Sequence, residues 1–229
     1  MGSLFFVEGA ISLDQFYNEN TLNIFCDASI TGKINHQTGC YGVVAVVKDD
    51  IIDSFYRLSS KTTNNESELK GLRAAICMAG KYKNSFKNIN IFCDSQISIF
   101  GLRDYIYKWR FNPYTGLLYG STGKPIVNQN IFIESYYLLS NLIANTNSCI
   151  RLFHQSGHID NRYDQIKEAA LVFAKANNVR GSIDLNFIRY ISTYNNYVDQ
   201  TSRTLLRNSN IQMQYLDALK FNCQGKIKK

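Results

Sequence analysis

Two five-residue stretches carry the same alternation of polar and apolar side chains: Asn23-Ile24-Phe25-Cys26-Asp27 and Asn90-Ile91-Phe92-Cys93-Asp94. In each, Asn, Phe and Asp fall on one side and Ile and Cys on the other. A period of two built on the β-formers Ile and Phe predicts a strand, and each is expected to end just after its Asp. Ahead of the first strand (22–27) lies a leader, 1–21. A loop at 28–39 holds the turn formers Gly32, Asn35 and Gly39. The β-branched runs 41–47 and 51–58, joined by Lys48-Asp49-Asp50, complete a predicted three-strand antiparallel meander.

The period then changes. Leu69, Leu72, Ile76 and Ala79 form a stripe at helical spacing, and Thr63 with Glu66 has the spacing of a capping box at the helix start. A helix joining two strands implies that the second lies parallel in the same sheet. Further on, 130–142 is a predicted helix and 149–153 a strand. Tyr163, Ile166, Ala170 and Phe173 give another helical stripe, and Ile183, Leu185, Phe187 and Ile191 alternate. This predicts a helix–strand insertion over about 159–192, its strand joining the sheet. Leu205 and Leu206 extend a helix through Asp199; a short amphipathic segment (211–221) and a basic tail (226–229) follow. The whole is expected to be one domain.

Parallel pairing of the two repeats would bring Asp27 and Asp94 out at the same end and face, with strands about 4.8 Å apart. Carboxylates that close repel unless a cation stands between them, so the pair asks for a metal ion. Glu68, one helical turn before Leu72, can reach the same end as a third carboxylate. The plainer reading, buried strands whose Asp starts a turn, serves for either Asp alone. The net charge of +7 favours a polyanionic partner. The six cysteines lack any C-x-x-C spacing for a zinc ribbon, and Cys26 and Cys93 read as buried apolar residues of a reduced, cytoplasmic protein. No signal peptide and no apolar run of membrane-spanning length is evident.

Asp27-Ala28-Ser29, Thr62-Thr63-Asn64-Asn65 with Glu68-Leu69, and Asp94-Ser95-Gln96 together resemble ribonuclease H of type 1. Ala28 stands where the family usually has Gly. The resemblance implies an α/β (α+β) fold with a mixed five-stranded sheet of order 3-2-1-4-5 flanked by helices. It also implies cleavage of the RNA strand of an RNA–DNA hybrid by two metal ions, leaving 5′-phosphomonoesters. Asp27, Glu68, Asp94 and Asp199 would hold two Mg²⁺, with Mn²⁺ able to substitute, through the oxygen ligands that such ions prefer. Asp199, in Asn195-Asn196-Tyr197-Val198-Asp199, matches the family's Asn-x-x-x-Asp pattern, but lies unusually far beyond the histidine loop. Asp160, Asp164 and Asp184 compete for the role of fourth acid, each with a simpler reading as a turn or helix-start residue.

Gly157-His158 matches the family's loop histidine, a proton-transfer or product-release group; His154 is the alternative. By resemblance, Asn64, Asn65 and Gln96 would contact RNA edges and ribose hydroxyls, and Thr63 a DNA phosphate. Lys124-Pro125-Ile126-Val127-Asn128 is similar to the end of the family's basic protrusion. Trp109 and Lys124 in that segment (about 105–128) would bind the hybrid, unless Trp109 and its tyrosine neighbours simply cover a core. Gly116, Gly120 and Gly123 predict a mobile loop there. A second alignment would put the fifth strand at 184–191, leaving no loop histidine before Asp199. The expected protein is a monomeric hybrid-cleaving enzyme. A hybrid-binding module without catalysis and another nuclease of the ribonuclease H-like superfamily are the rivals.

Overall fold

A computed structural model of the protein describes residues 9–32, 37–160 and 162–224, with side chains as far as residue 209. The beginning of the predicted leader and the whole of the basic tail (226–229) lie outside the described residues, as do the side chains of the predicted amphipathic segment 211–221. The elements run β1 (Thr21–Thr31), β2 (Thr38–Val47), β3 (Asp50–Ser60), α1 (Asn64–Lys81), β4 (Asn88–Cys93), α2 (Gln96–Phe100), β5 (Arg110–Asn112), β6 (Leu117–Tyr119), α3 (Gln129–Ala144), β7 (Cys149–His154), α4 (Tyr163–Ala176) and α5 (Leu185–Gln224). No helix among the described residues is long and apolar enough to cross a membrane.

The main sheet has the order β3-β2-β1-β4-β7. This is the expected 3-2-1-4-5 arrangement, since β7 is its fifth strand and β5 and β6 form a separate hairpin. β1, β2 and β3 are the antiparallel meander, while β1–β4 and β4–β7 are parallel. The repeated pentapeptides pair in perfect register, Asn23 with Asn90 through Cys26 with Cys93. Their alternation divides the core in two. Ile24, Cys26, Ile91 and Cys93 face α1 and α3, packing with Leu72, Ile76 and Leu139. Phe25 and Phe92 stack at 5.0 Å on the other face, against Phe153, Phe173 of α4 and Phe187 of α5. Asn23 and Asn90, both fully buried, are joined across the strands by one hydrogen bond, Asn90 Nδ2 donating to Asn23 Oδ1 at 3.0 Å, while Asn23 Nδ2 donates to the Phe16 carbonyl and to the Tyr190 hydroxyl.

Four expectations are corrected. β1 runs on to Thr31, because Ala28–Thr31 still pair with β2. The strand expected within the insertion is absent: after α4, the chain makes a single parallel bridge, Ile11 to Ile183, and then enters α5. Phe187, Ile188, Ile191, Val198 and Leu206 are buried along α5 at helical spacing, and this longer apolar face outweighs the brief alternation. The second alignment fails with it, since 185–191 is helix. Finally, the segment predicted as a loop around Gly116 contains the β5–β6 hairpin, extended by a bridge from Tyr119 to Pro125.

Candidate active site

Asp27 sits in β1 one step past the last β1–β4 pair, and Asp94 is the first residue after β4. Register alone therefore brings the two carboxylates to one end of the sheet. Asp27 is buried; its Oδ1 accepts from the Ala28 N–H at 2.6 Å, and its Oδ2 has no hydrogen-bond partner. Burial, and then the neighbouring Asp94 carboxylate, push the Asp27 carboxyl far above the usual carboxylate range. Asp94 is also raised, by burial first and then by Glu68, with the Asn195 amide and His158 pulling the other way. The loop after β7 closes tightly on Asp94: a Cβ on Gly157 would come within 2.4 Å of its Oδ2, so a side chain there would force the Asp94 carboxylate to turn.

α1 supplies Glu68. Its N-cap is Thr63, whose hydroxyl accepts from the Glu66 N–H at 3.2 Å. The Glu66 carboxylate does not complete the expected reciprocal box. It turns instead to Lys70 at 2.7 Å, an i,i+4 partner on the outer face. Glu68, about 200° further round the helix, faces the cavity and accepts from Asn64 Nδ2 at 2.5 Å. The start of α1 lies so close to β2 that a Cβ on Gly39 would meet Ser67 Oγ at 2.4 Å.

α5 supplies Asp199, also buried, which accepts from Ser29 Oγ at 2.9 Å and from Arg203 Nε at 2.8 Å. His158 Nδ1 is 3.5 Å from its other oxygen. Asp27, Glu68, Asp94, Asp199 and His158 all line one cavity of about 450 Å³, together with Asn64 and Arg203.

Of the two histidines, His158 is exposed on the loop, in the left-handed backbone region at φ 52°. His154 ends β7 inside the protein, with Nε2 3.1 Å from the Asp94 carbonyl oxygen; burial lowers its pKa. Asp184 does what its simpler reading expects: its Oδ1 accepts from the Asn186 N–H at the start of α5. Asp164 lies in the first turn of α4, and Asp160 is exposed beside Arg162; none of the three lines the cavity. Thr63, Asn65 and Gln96 are exposed at the starts of α1 and α2, outside the cavity lining. Trp109 packs edge-on against Phe132 of α3 at 5.0 Å and thus covers core, while Lys124 is exposed on the turn after β6. Arg203 stands outside every motif the sequence displays, and Ser29 and Asn195 stand within motifs but with no role of their own there. Ser29 follows Asp27 by two on a strand, and Asn195 and Arg203 flank Asp199 by four on a helix, so both periods pointed to them.

The donors are carboxylate oxygens, and one of them, Asp27 Oδ2, is buried without a partner next to a second acid. Such a set fits hard divalent cations. Among the described residues no three of these groups already converge as a finished ligand cluster. Asp199 is turned to Ser29 and Arg203, and Glu68 to Asn64.

The family model described as RNase H matches residues 19–172. The chain is similar to ribonuclease HI of Pasteurella multocida (strain Pm70), 29% identical over 157 residues that are 66% of this chain and 90% of the relative. It is also similar to ribonuclease H of Haemophilus influenzae (strain 86-028NP), 29% identical over 122 residues, 50% of this chain and 68% of the relative. The crystal structure of RNase H1 from the halophilic archaeon Halobacterium salinarum NRC-1 aligns at 18% identity and a TM-score of 0.40, covering 67% of this chain and 93% of that one. The family match takes in Asp27, Glu68, Asp94 and His158 and ends within α4, and the fold carries Asp199 to the same cavity from beyond it. The chain belongs to the ribonuclease H family.

Proposed function

We propose that this protein cleaves the RNA strand of RNA–DNA hybrids by divalent-cation-assisted hydrolysis of phosphodiesters. The observation that carries the reading is the meeting of Asp27, Glu68, Asp94 and Asp199 at one cavity, from two parallel strands and two helices. Family membership and the relatives named ribonuclease H support it.

Asp27 and Asp94, with Glu68 and Asp199, would hold Mg²⁺ or Mn²⁺. When bound, two such ions would supply an activated water and charge stabilisation of the leaving oxygen. The chain's own contribution is to keep four carboxylates near each other at a cost it bears when no cation neutralises them. Asn64 fixes the Glu68 rotamer, and Ser29 and Arg203 fix that of Asp199. His158, solvent-exposed yet next to Asp199, is the group suited to pass a proton to or from the departing product. Asn64 lines the cavity, and Asn65 and Gln96 are exposed polar side chains at the starts of α1 and α2; these three are the groups that would tell the ribose hydroxyls of an RNA strand from DNA.

The test is incubation with end-labelled RNA–DNA hybrid, double-stranded RNA and single-stranded RNA, each with Mg²⁺ and with EDTA. Cleavage confined to the RNA of the hybrid, and abolished by EDTA, is expected. Cutting of double-stranded RNA at the same rate, or no cutting of any substrate with either Mg²⁺ or Mn²⁺, would overturn the reading.

A further inference from the structure

β7 is an edge strand, so the outward N–H and C=O of its last residue, His154, have no neighbouring strand to meet them. A single side chain takes that place. Asn177, the residue that ends α4, accepts from the His154 N–H at 2.9 Å and donates to the His154 carbonyl at 2.7 Å. Its amide therefore does for one residue what a sixth strand would do. Asn177 also donates to the Phe173 carbonyl at 2.9 Å and accepts from Arg103 Nη1 at 3.1 Å, so each of its polar atoms is engaged twice. Arg103 in turn donates to the Ala176 carbonyl at 2.7 Å, pairs with Asp104, and lies over the Phe100 ring at 5.2 Å. Asn177, His154 and Arg103 are 1%, 2% and 4% exposed, so none of this network is surface decoration.

The network points at the site. His154 Nε2 is 3.1 Å from the Asp94 carbonyl oxygen, and because a carbonyl only accepts, Nε2 carries the proton. The His154 ring is held from the other side by Phe100, at 5.6 Å.

We infer that Asn177, His154 and Arg103 are positioning residues: through them α4, inserted between β7 and the helix bearing Asp199, fixes the main chain of Asp94 where its carboxylate can serve the site. The inference rests on the reading of Asp94 as a site carboxylate. Side chains that orient the groups around a metal centre typically account for ten- to a hundredfold in affinity or rate. A displacement of Asp94 by a fraction of an ångström acts on the chemical step and on cation affinity, and leaves hybrid binding, which depends on phosphate contacts elsewhere, near its original strength.

The decisive comparison is His154→Leu against His154→Gln. Leu fills the space without a donor; the Gln amide nitrogen comes near the position of Nε2 and can donate to the same carbonyl. Both are assayed at a temperature where circular dichroism shows them folded. The readouts are kcat and KM on labelled hybrid and, without substrate, the Mg²⁺ and Mn²⁺ concentrations that give half the maximal rise in melting temperature. For His154→Leu, kcat should fall about ten- to a hundredfold with KM little changed, and the cation midpoint should rise about tenfold. His154→Gln should recover most of both. Asn177→Asp, which still accepts from the His154 N–H but cannot donate to its carbonyl, should move both readouts in the Leu direction, and it carries the comparison if His154→Leu does not fold. Unchanged kcat and cation midpoint in the Leu or Asp variant, or equal defects in Leu and Gln, would overturn the inference. A wild-type protein that cuts no hybrid would instead sink the proposed function, and the cation midpoints would still decide the bracket.

Discussion

Asp27→Asn should make the metal-free protein more stable while removing its activity. The native carboxyl is buried, its Oδ2 has no partner, and burial together with Asp94 raises its pKa. A raised carboxyl costs nothing below its unfolded value of about 3.9. The cost grows as pH climbs past that value and levels off only at the folded value. If Asp27 were still protonated in the fold at pH 7, the penalty would be about 3 units at 1.36 kcal/mol each, roughly 4 kcal/mol. The cavity admits water, so about half of that, on the order of 2 kcal/mol, is the sounder expectation. Asn keeps the oxygen that accepts from the Ala28 N–H and removes the ionisable group. For a chain of this length 2 kcal/mol corresponds to about 4–8 °C in melting temperature. The assay is a thermal melt in EDTA from pH 4 to pH 8. Wild type should lose stability as pH rises, and the variant should match it near pH 4 and exceed it at pH 8. Mg²⁺ should raise the wild-type midpoint at pH 8 and leave the variant nearly unmoved. A variant that melts below wild type at pH 8, or a difference that does not change with pH, would refute the argument that unneutralised charge strains this site.

Three further outcomes are expected. Glu68→Gln should lose cleavage with little change in melting temperature, while Glu66→Gln stays active; Glu66→Ala should cost only about 0.5 kcal/mol, the worth of a half-buried i,i+4 pair with Lys70, and Thr63→Ala about 1 kcal/mol as a lost cap, both measured by chemical denaturation. Asp94→Asn should abolish turnover at saturating Mg²⁺ and keep hybrid affinity in a gel-shift assay, since phosphate contacts come from basic groups. The rate should fall on the acid side as Asp27 and Asp94, both with raised pKa, take up protons, and increasing Mg²⁺ should shift that limb to lower pH; an acid limb indifferent to Mg²⁺ would speak against those two carboxylates as ligands.

The repeated pentapeptide was the most legible part of the chain, because alternation and strand type depend on side chains within five residues of each other, and the helix between the two copies implies their parallel pairing. The helix carrying Glu68 was legible for the same reason: a capping threonine and a stripe at Leu69, Leu72, Ile76 and Ala79 leave one sheet-facing glutamate. What failed was local evidence too short to choose. Ile183, Leu185 and Phe187 alternate, but Ile188 breaks the alternation and starts a stripe that persists through Val198 to Leu206; length should have decided for helix. Glu66 had the spacing of a capping partner, yet Lys70 is the stronger competitor for its charge. The Asn177–His154 bracket joins residues 23 positions apart through an amide and a main chain, and no periodicity announces such a bond.

Ser29 reaches Asp199 across 170 positions. Three of the four acids lie within the first 94 residues, on elements that pair with near neighbours, whereas the fourth arrives on the final helix. During synthesis at about 5–20 residues per second, a chain still lacking α5 would have its sheet edge and three carboxylates for several seconds before the last acid could join them. The order of the elements thus sets an order of assembly: the four-acid cavity cannot be complete until α5 has been made. Closing so long a loop adds little to the entropic cost compared with one half its length, about 0.6 kcal/mol, so the delay costs the folded protein almost nothing.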